Sequence, residues 1–135
     1  MLKILVVDDD LTTRKEIVQI VRQWGAIPLE ASNGKRAVDM LTDDTEIAGV
    51  ITDYMMPEMD GRALVEYLRK HTELCKLPIV ITSGVIRLNE ITDLLESGAS
   101  RFMPKPVNAS ELRGYLSALW GKKKDDSAGA AHVAH

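Results

Sequence analysis

Apolar residues along this chain fall into two kinds of run, short continuous ones and longer ones spaced three or four apart. Leu2 to Val7 is apolar throughout except for Lys3, as a strand covered on both faces of a parallel sheet requires. From Leu11 to Trp24 the positions Ile17, Ile20, Val21 and Trp24 recur at helical spacing, and Gly25 predicts the stop. Ile27 to Ala31 reads as a short second strand, and Pro28 suits an edge or a strand start. Gly34 to Leu41 reads as a helix with Ala37, Val38 and Leu41 inward and Ser32 or Asn33 as cap.

The pattern repeats downstream. Gly49 to Thr52 predicts a third strand ending at Asp53. Asp60 can cap a helix carrying Leu64, Val65 and Leu68. Pro78 to Thr82 predicts a fourth strand, and Leu88 to Glu96 a helix with Ile91, Leu94 and Leu95, closed by Gly98. Ser100 to Met103 predicts a fifth strand, and Asn108 to Trp120 a last helix, with Asn108 and Glu111 as a capping box. Five strands alternating with five helices predict a doubly wound α/β domain over residues 1–120. Residues 121–135 are Lys-rich, then rich in Ala, Gly, Ser and His, and read as a disordered tail.

Composition narrows the class. The 135 residues suffice for one ordinary domain. Hydrophobic residues at 45% and charged residues at 27% fit a globular chain. Seventeen basic against twenty acidic side chains leave a formal charge of −3, which disfavours phosphate-neutralising nucleic-acid binding. A single cysteine, Cys75, excludes an intrachain disulfide framework and a cysteine-rich zinc site. No segment has the length of a membrane span, and the first apolar run enters Asp8-Asp9-Asp10 with no cleavage site. The expected location is the cytoplasm, without membrane insertion.

In doubly wound sheets ligands bind beyond the carboxyl ends of the strands. There stand Asp8 and Asp9, Asp53, Ser83 and Lys105, from four different strands. Asp10 reads as a helix cap. Clustered carboxylates repel by roughly 4 kcal/mol at ~4 Å and an effective dielectric near 20, so they call for a cation. Hard oxygen donors without His or Cys point to Mg²⁺. Mg²⁺ and a lysine together can receive a phosphoryl group, and an aspartate held against them can attack phosphorus.

These motifs resemble the response-regulator receiver domains of two-component signalling, of the stand-alone chemotaxis-regulator type. The resemblance rests on Val6-Val7-Asp8-Asp9, on Asp53 through Gly61, on Pro78 through Gly84 and on Phe102 through Pro106, in order. The intervals of 44 from Asp9 to Asp53, 30 to Ser83 and 22 to Lys105 also fit. The resemblance implies a flavodoxin-like five-stranded parallel sheet of order 2-1-3-4-5. It implies Asp53 as phosphoacceptor, with Mg²⁺ held by Asp9 directly, by Asp8 through water, by Asp53 and by the Met55 carbonyl. Lys105 would bind the phosphoryl oxygens, Ser83 would be the switch hydroxyl and Phe102 the aromatic switch, and the Lys105–Pro106 bond would be cis. Thr82 is set aside, since its side chain points opposite to that of Ser83.

A histidine kinase, a histidine phosphotransfer protein or a small phosphodonor would supply the phosphoryl group. The surface of the fourth helix, fifth strand and fifth helix would then bind an output protein, and phosphorylation can be coupled to homodimerisation. Such a protein is no enzyme in the usual sense, since it catalyses only its own phosphorylation and dephosphorylation. The length leaves no room for an output domain, so the expected output is a protein contact and no nucleic acid. Two alternatives stay open: a haloacid-dehalogenase-like phosphohydrolase using Asp8 and Asp10, and a degenerate receiver acting as a binding module. Apolar Met55 and Val85 stand where polar residues are also frequent in the family and are expected to slow phosphate loss. His71, His132, His135, Cys75, the methionines and Lys122 to Lys124 read as packing or solvated positions, and Trp24 and Trp120 as partly buried packing.

Overall fold

The computed structural model describes residues 1–56, 59–71, 74–84 and 87–121. The chain alternates strand and helix: β1 (Lys3–Val7), α1 (Leu11–Trp24), β2 (Ile27–Ala31), α2 (Gly34–Asp43), β3 (Ile47–Asp53), α3 (Gly61–Lys70), β4 (Ile79–Ser83), α4 (Leu88–Ser97), β5 (Arg101–Pro104) and α5 (Ala109–Leu116). A π-helical turn, Ser117–Gly121, closes the described chain. The strands form one parallel sheet in the order β2-β1-β3-β4-β5. This is the doubly wound order, with Pro28 on an edge strand.

Alternation along each strand divides the core in two. Leu5, Val7, Val50, Ile79 and Ile81 face Ala37, Leu41, Leu64, Val65, Leu68 and Leu94 on α2, α3 and α4. Ile4, Val6, Ile51, Val80 and Met103 face Ile17, Val18, Val21, Leu112 and Leu116 on α1 and α5. Each central strand is therefore apolar on both faces, which explains the continuous runs in its sequence.

The helix ends follow their capping residues. Asp10, Asn33, Asp60 and Asn108 each accept a backbone N–H three residues on. The Asn108 half of the expected capping box is thus present. Gly25, at φ 113°, ends α1 in the left-handed conformation that favours glycine.

Three details depart from the sequence reading. On α4, Leu94 is buried, but Leu95 is 42% exposed and Leu88 79%. The helix is held from α3 by polar contacts instead. Arg69 donates to the Gly98 carbonyl through Nε (3.0 Å) and Nη2 (2.6 Å), and Arg62 pairs with Asp93 at 2.8 Å. Trp120 is only 5% exposed, more buried than expected: its Nε1 donates to the Ala48 carbonyl and its ring fills the space above Gly49. Finally, the last turn runs through Gly121, one residue past Trp120. Residues 122–135, with His132, His135 and Lys122 to Lys124, lie outside the described residues, as does Val85.

Candidate functional site

The parallel ladder brings the strand ends together. Val7 pairs with Thr52 and Asp53 with Thr82, so Asp8 emerges beside Asp53. Backbone bonds carry the register past the strands, Asp8 N–H donating to Ala31 O, Tyr54 N–H to Thr82 O and Lys105 N–H to Ser83 O. The Lys105–Pro106 peptide is cis. Asp8, Asp53 and Ser83 are buried, Asp53 being 6% exposed, and Asp9 is exposed.

Each of Asp8, Asp9 and Asp53 offers a carboxylate oxygen, and these three lie within 4.8 Å of one another. Lys105 reaches in from the carboxyl end of the edge strand β5. Its Nζ stands 3.0 Å from Asp8 Oδ2 and 3.1 Å from Asp53 Oδ1. The other Asp8 oxygen accepts the Asp10 N–H at 2.9 Å. One ammonium thus faces three carboxylates, at separations where each pair repels by about 3–4 kcal/mol at an effective dielectric near 20.

The electrostatics follow from burial and charge. Desolvation first, then the neighbouring Asp8 charge, raise the Asp53 pKa, and the Lys105 hydrogen bond does not fully offset them. For Lys105, burial alone would lower the pKa; the hydrogen bonds to Asp8 and Asp53 overcome it and leave the ammonium firmly charged. An unbalanced, hard-oxygen cluster with no soft donor suits a small divalent cation.

The start of α3 packs closely against the end of β3. Gly61 N–H donates to Tyr54 O at 2.8 Å, and a Cβ at Gly61 would stand 2.6 Å from Asp53 O. Only glycine permits that approach. The Met55 side chain is 64% exposed at the rim. Phe102 is half-buried against the α2–α4 side of the core, and its carbonyl accepts the Tyr115 hydroxyl at 3.2 Å. Thr82 is buried, and its Oγ1 finds no hydrogen-bond partner among the described residues. Asp10 is spent as a cap, its Oδ2 accepting from Thr13 N–H and Oγ1. His71 caps the far end of α3, its ring tilted 36° against that of Tyr67 at a centroid distance of 4.0 Å.

Two neighbours escaped the sequence reading. Arg14 of α1 donates to the Asp8 carbonyl and to Glu30 of β2, which also receives Lys15. Both looked like ordinary charged surface residues. A signal was nonetheless present, since Glu30 is a charged residue inside an otherwise apolar strand.

Comparison with known proteins gives a consistent picture. A family model described as the response regulator receiver domain matches residues 4–117. Two-component response regulator ORR11 of rice (Oryza sativa subsp. indica) is 36% identical over 116 residues, spanning 86% of this chain and 79% of that protein. Rice response regulator ORR3 is 35% identical, over 81% of this chain and 83% of that protein. Among solved structures, a response regulator receiver domain protein from Clostridium thermocellum superposes with a TM-score of 0.83 at 28% identity, covering 92% of this chain and 98% of that one. The receiver domain of a signal transduction histidine kinase from Syntrophus aciditrophicus gives 0.82 at 28%, covering 98% of this chain and all of that one.

Proposed function

Since the chain belongs to the response regulator receiver domain family of two-component signalling, we propose that it is a phosphorylation-driven switch whose acceptor is Asp53. Receiver domains are signalling domains rather than conventional enzymes. The observation that carries this reading is the Lys105 ammonium bridging Asp8 and Asp53, two of three carboxylates gathered at the strand ends. Asp8, Asp9, Asp53 and the Met55 carbonyl are the groups proposed to hold Mg²⁺, which would supply neutralising charge for an incoming phosphoryl group.

An ionised Asp53 oxygen attacks phosphorus. The bond from phosphorus to the donor's histidine nitrogen, or to the leaving oxygen of a small phosphodonor, breaks with its electron pair, and the leaving group takes up a proton. Lys105 lies where the transferred oxygens arrive, and its charge stabilises them. The Ser83 hydroxyl then donates to the phosphoryl group, and Phe102 repacks as the β4–α4 side shifts. Moving such an equilibrium from 1:99 to 99:1 takes about 5.5 kcal/mol, more than one charge-assisted bond provides, so output-partner binding completes the shift. The partners are a histidine kinase or histidine phosphotransfer protein and an output protein. Residues 1–120 form the proposed domain, with a cytoplasmic location. Among the described residues, no helix is long and apolar enough to cross a membrane.

Intact-mass spectrometry with a small phosphodonor tests the proposal. A Mg²⁺-dependent phosphoryl-sized gain is expected, absent in Asp53→Asn. Stable phosphomonoester turnover abolished by Asp8→Asn but kept in Asp53→Asn would instead mark a phosphohydrolase. The capping duty of Asp10 argues against that chemistry, because its carboxylate is engaged by Thr13.

A further inference from the structure

Resting on the cation site proposed above, we infer that Arg14 is a positioning residue for the acidic pair, with Glu30 aiming it. The observation is a two-pronged guanidinium. Nη1 donates to the Asp8 carbonyl at 2.8 Å, and Nε donates to Glu30 Oε1 at 2.8 Å. The Arg14 side chain is largely covered, and Lys15 Nζ holds the other Glu30 oxygen at 2.8 Å. The chain of contacts therefore runs from β2 through Glu30 and Arg14 to the last residue before Asp9.

The Asp8 carbonyl belongs to the peptide that joins Asp8 to Asp9. That peptide is planar, so fixing the direction of its oxygen fixes the direction in which the Asp9 backbone leaves. The Asp8 side chain is secured separately, by Asp10 N–H and Lys105 Nζ. Asp9 is exposed, and its carboxylate is aimed through its backbone. Arg14 thus sets where the third oxygen of the cluster stands. A lysine could reach one acceptor but not span two at fixed angles, which is what the planar guanidinium does. Glu30 stays ionised under the hydrogen bonds of Lys15 and Arg14, which lower its pKa.

The sign of one effect separates positioning from charge. A guanidinium near a divalent-cation site repels the cation, so deleting Arg14 should tighten Mg²⁺ binding if its charge alone matters. If Arg14 positions Asp9, deletion weakens binding, by about 10-fold in the range found for groups that orient metal ligands.

Calorimetric titration of the full chain with Mg²⁺ tests this. Arg14→Gln is expected to weaken binding about tenfold, Arg14→Lys to recover part of it, and Glu30→Gln to lose less than Arg14→Gln. In the Arg14→Gln background, Glu30→Gln should add little, because the two act as one unit. Should Arg14→Gln fail to fold, Glu30→Gln measured at low and high salt replaces it. A loss that persists when long-range charge is screened supports positioning, and one that vanishes overturns it. Arg14→Gln binding Mg²⁺ as tightly as wild type, or more tightly, overturns the role of Arg14 while leaving the site intact. A wild type that binds no Mg²⁺ overturns the site reading and this inference with it.

Discussion

Asp53 is held in a setting that works against its own charge. Burial and Asp8 raise its pKa, so ionising this carboxyl costs more in the folded state than in the unfolded one. A raised folded pKa contributes stability below the unfolded pKa, and that contribution is lost as pH rises through the folded value. Without a divalent cation at neutral pH, the ionised group is therefore a net cost to the fold. Asp53→Asn in chelator is expected to raise the Tm at pH 7, with the gain gone below about pH 4, where an unfolded aspartate also carries its proton. Equal or lower stability at neutral pH would contradict this. The two hydroxyls at the end of β4 separate in the same way. Thr82 buries an unpartnered Oγ1, so its near-isosteric replacement Thr82→Val is expected to stabilise by about 1 kcal/mol in a denaturant titration. Phosphorylation should survive that change and be impaired by Ser83→Ala. Loss of labelling in Thr82→Val would reverse the assignment.

Among the elements, α4 is the one held least by apolar contact. Leu94 anchors it, while Arg62 and Arg69 reach across from α3. Helices held by few buried groups open locally at low cost. Arg69→Ala is expected to speed amide exchange in α4 about tenfold while β1 and β3 stay protected, since a charge-assisted bond contributes on the order of 1.5 kcal/mol or more. Uniform acceleration across the sheet would show that Arg69 supports the whole fold instead. In the β3–α3 loop, Met55 stands exposed at the rim of the site. If its apolar side chain shields the acyl phosphate, Met55→Asn shortens the lifetime of the phosphorylated protein. An unchanged decay rate would dismiss that role.

At the scale of the whole molecule, much was legible in the sequence because two periods dominate it. Continuous runs such as Val50-Ile51 mark strands covered on both faces, and Leu64, Val65 and Leu68 mark a helix with one buried side. Strand ends then name Asp8, Asp9, Asp53, Ser83 and Lys105 without any coordinates. What stayed hidden depends on contacts between distant segments. Leu95 sits at helical spacing yet faces solvent, because α4 is tied down by arginines that periodicity does not weigh. Trp120 is buried because Gly49, 71 residues earlier, leaves room for its ring. Arg14 and Glu30 read as surface charges until the sheet brings Glu30 beside α1. The three carboxylates and single ammonium tie these scales together, since the fold gathers an excess of negative charge of the kind a divalent cation relieves.

The most direct test of that account traps the acyl phosphate chemically. After reaction with a small phosphodonor and Mg²⁺, borohydride reduction converts a phosphorylated aspartate to homoserine, and peptide mass mapping locates it. Homoserine is expected at position 53 alone, dependent on Mg²⁺ and on Lys105. Homoserine at position 8 or 9, or none in a protein shown to be folded, would contradict it.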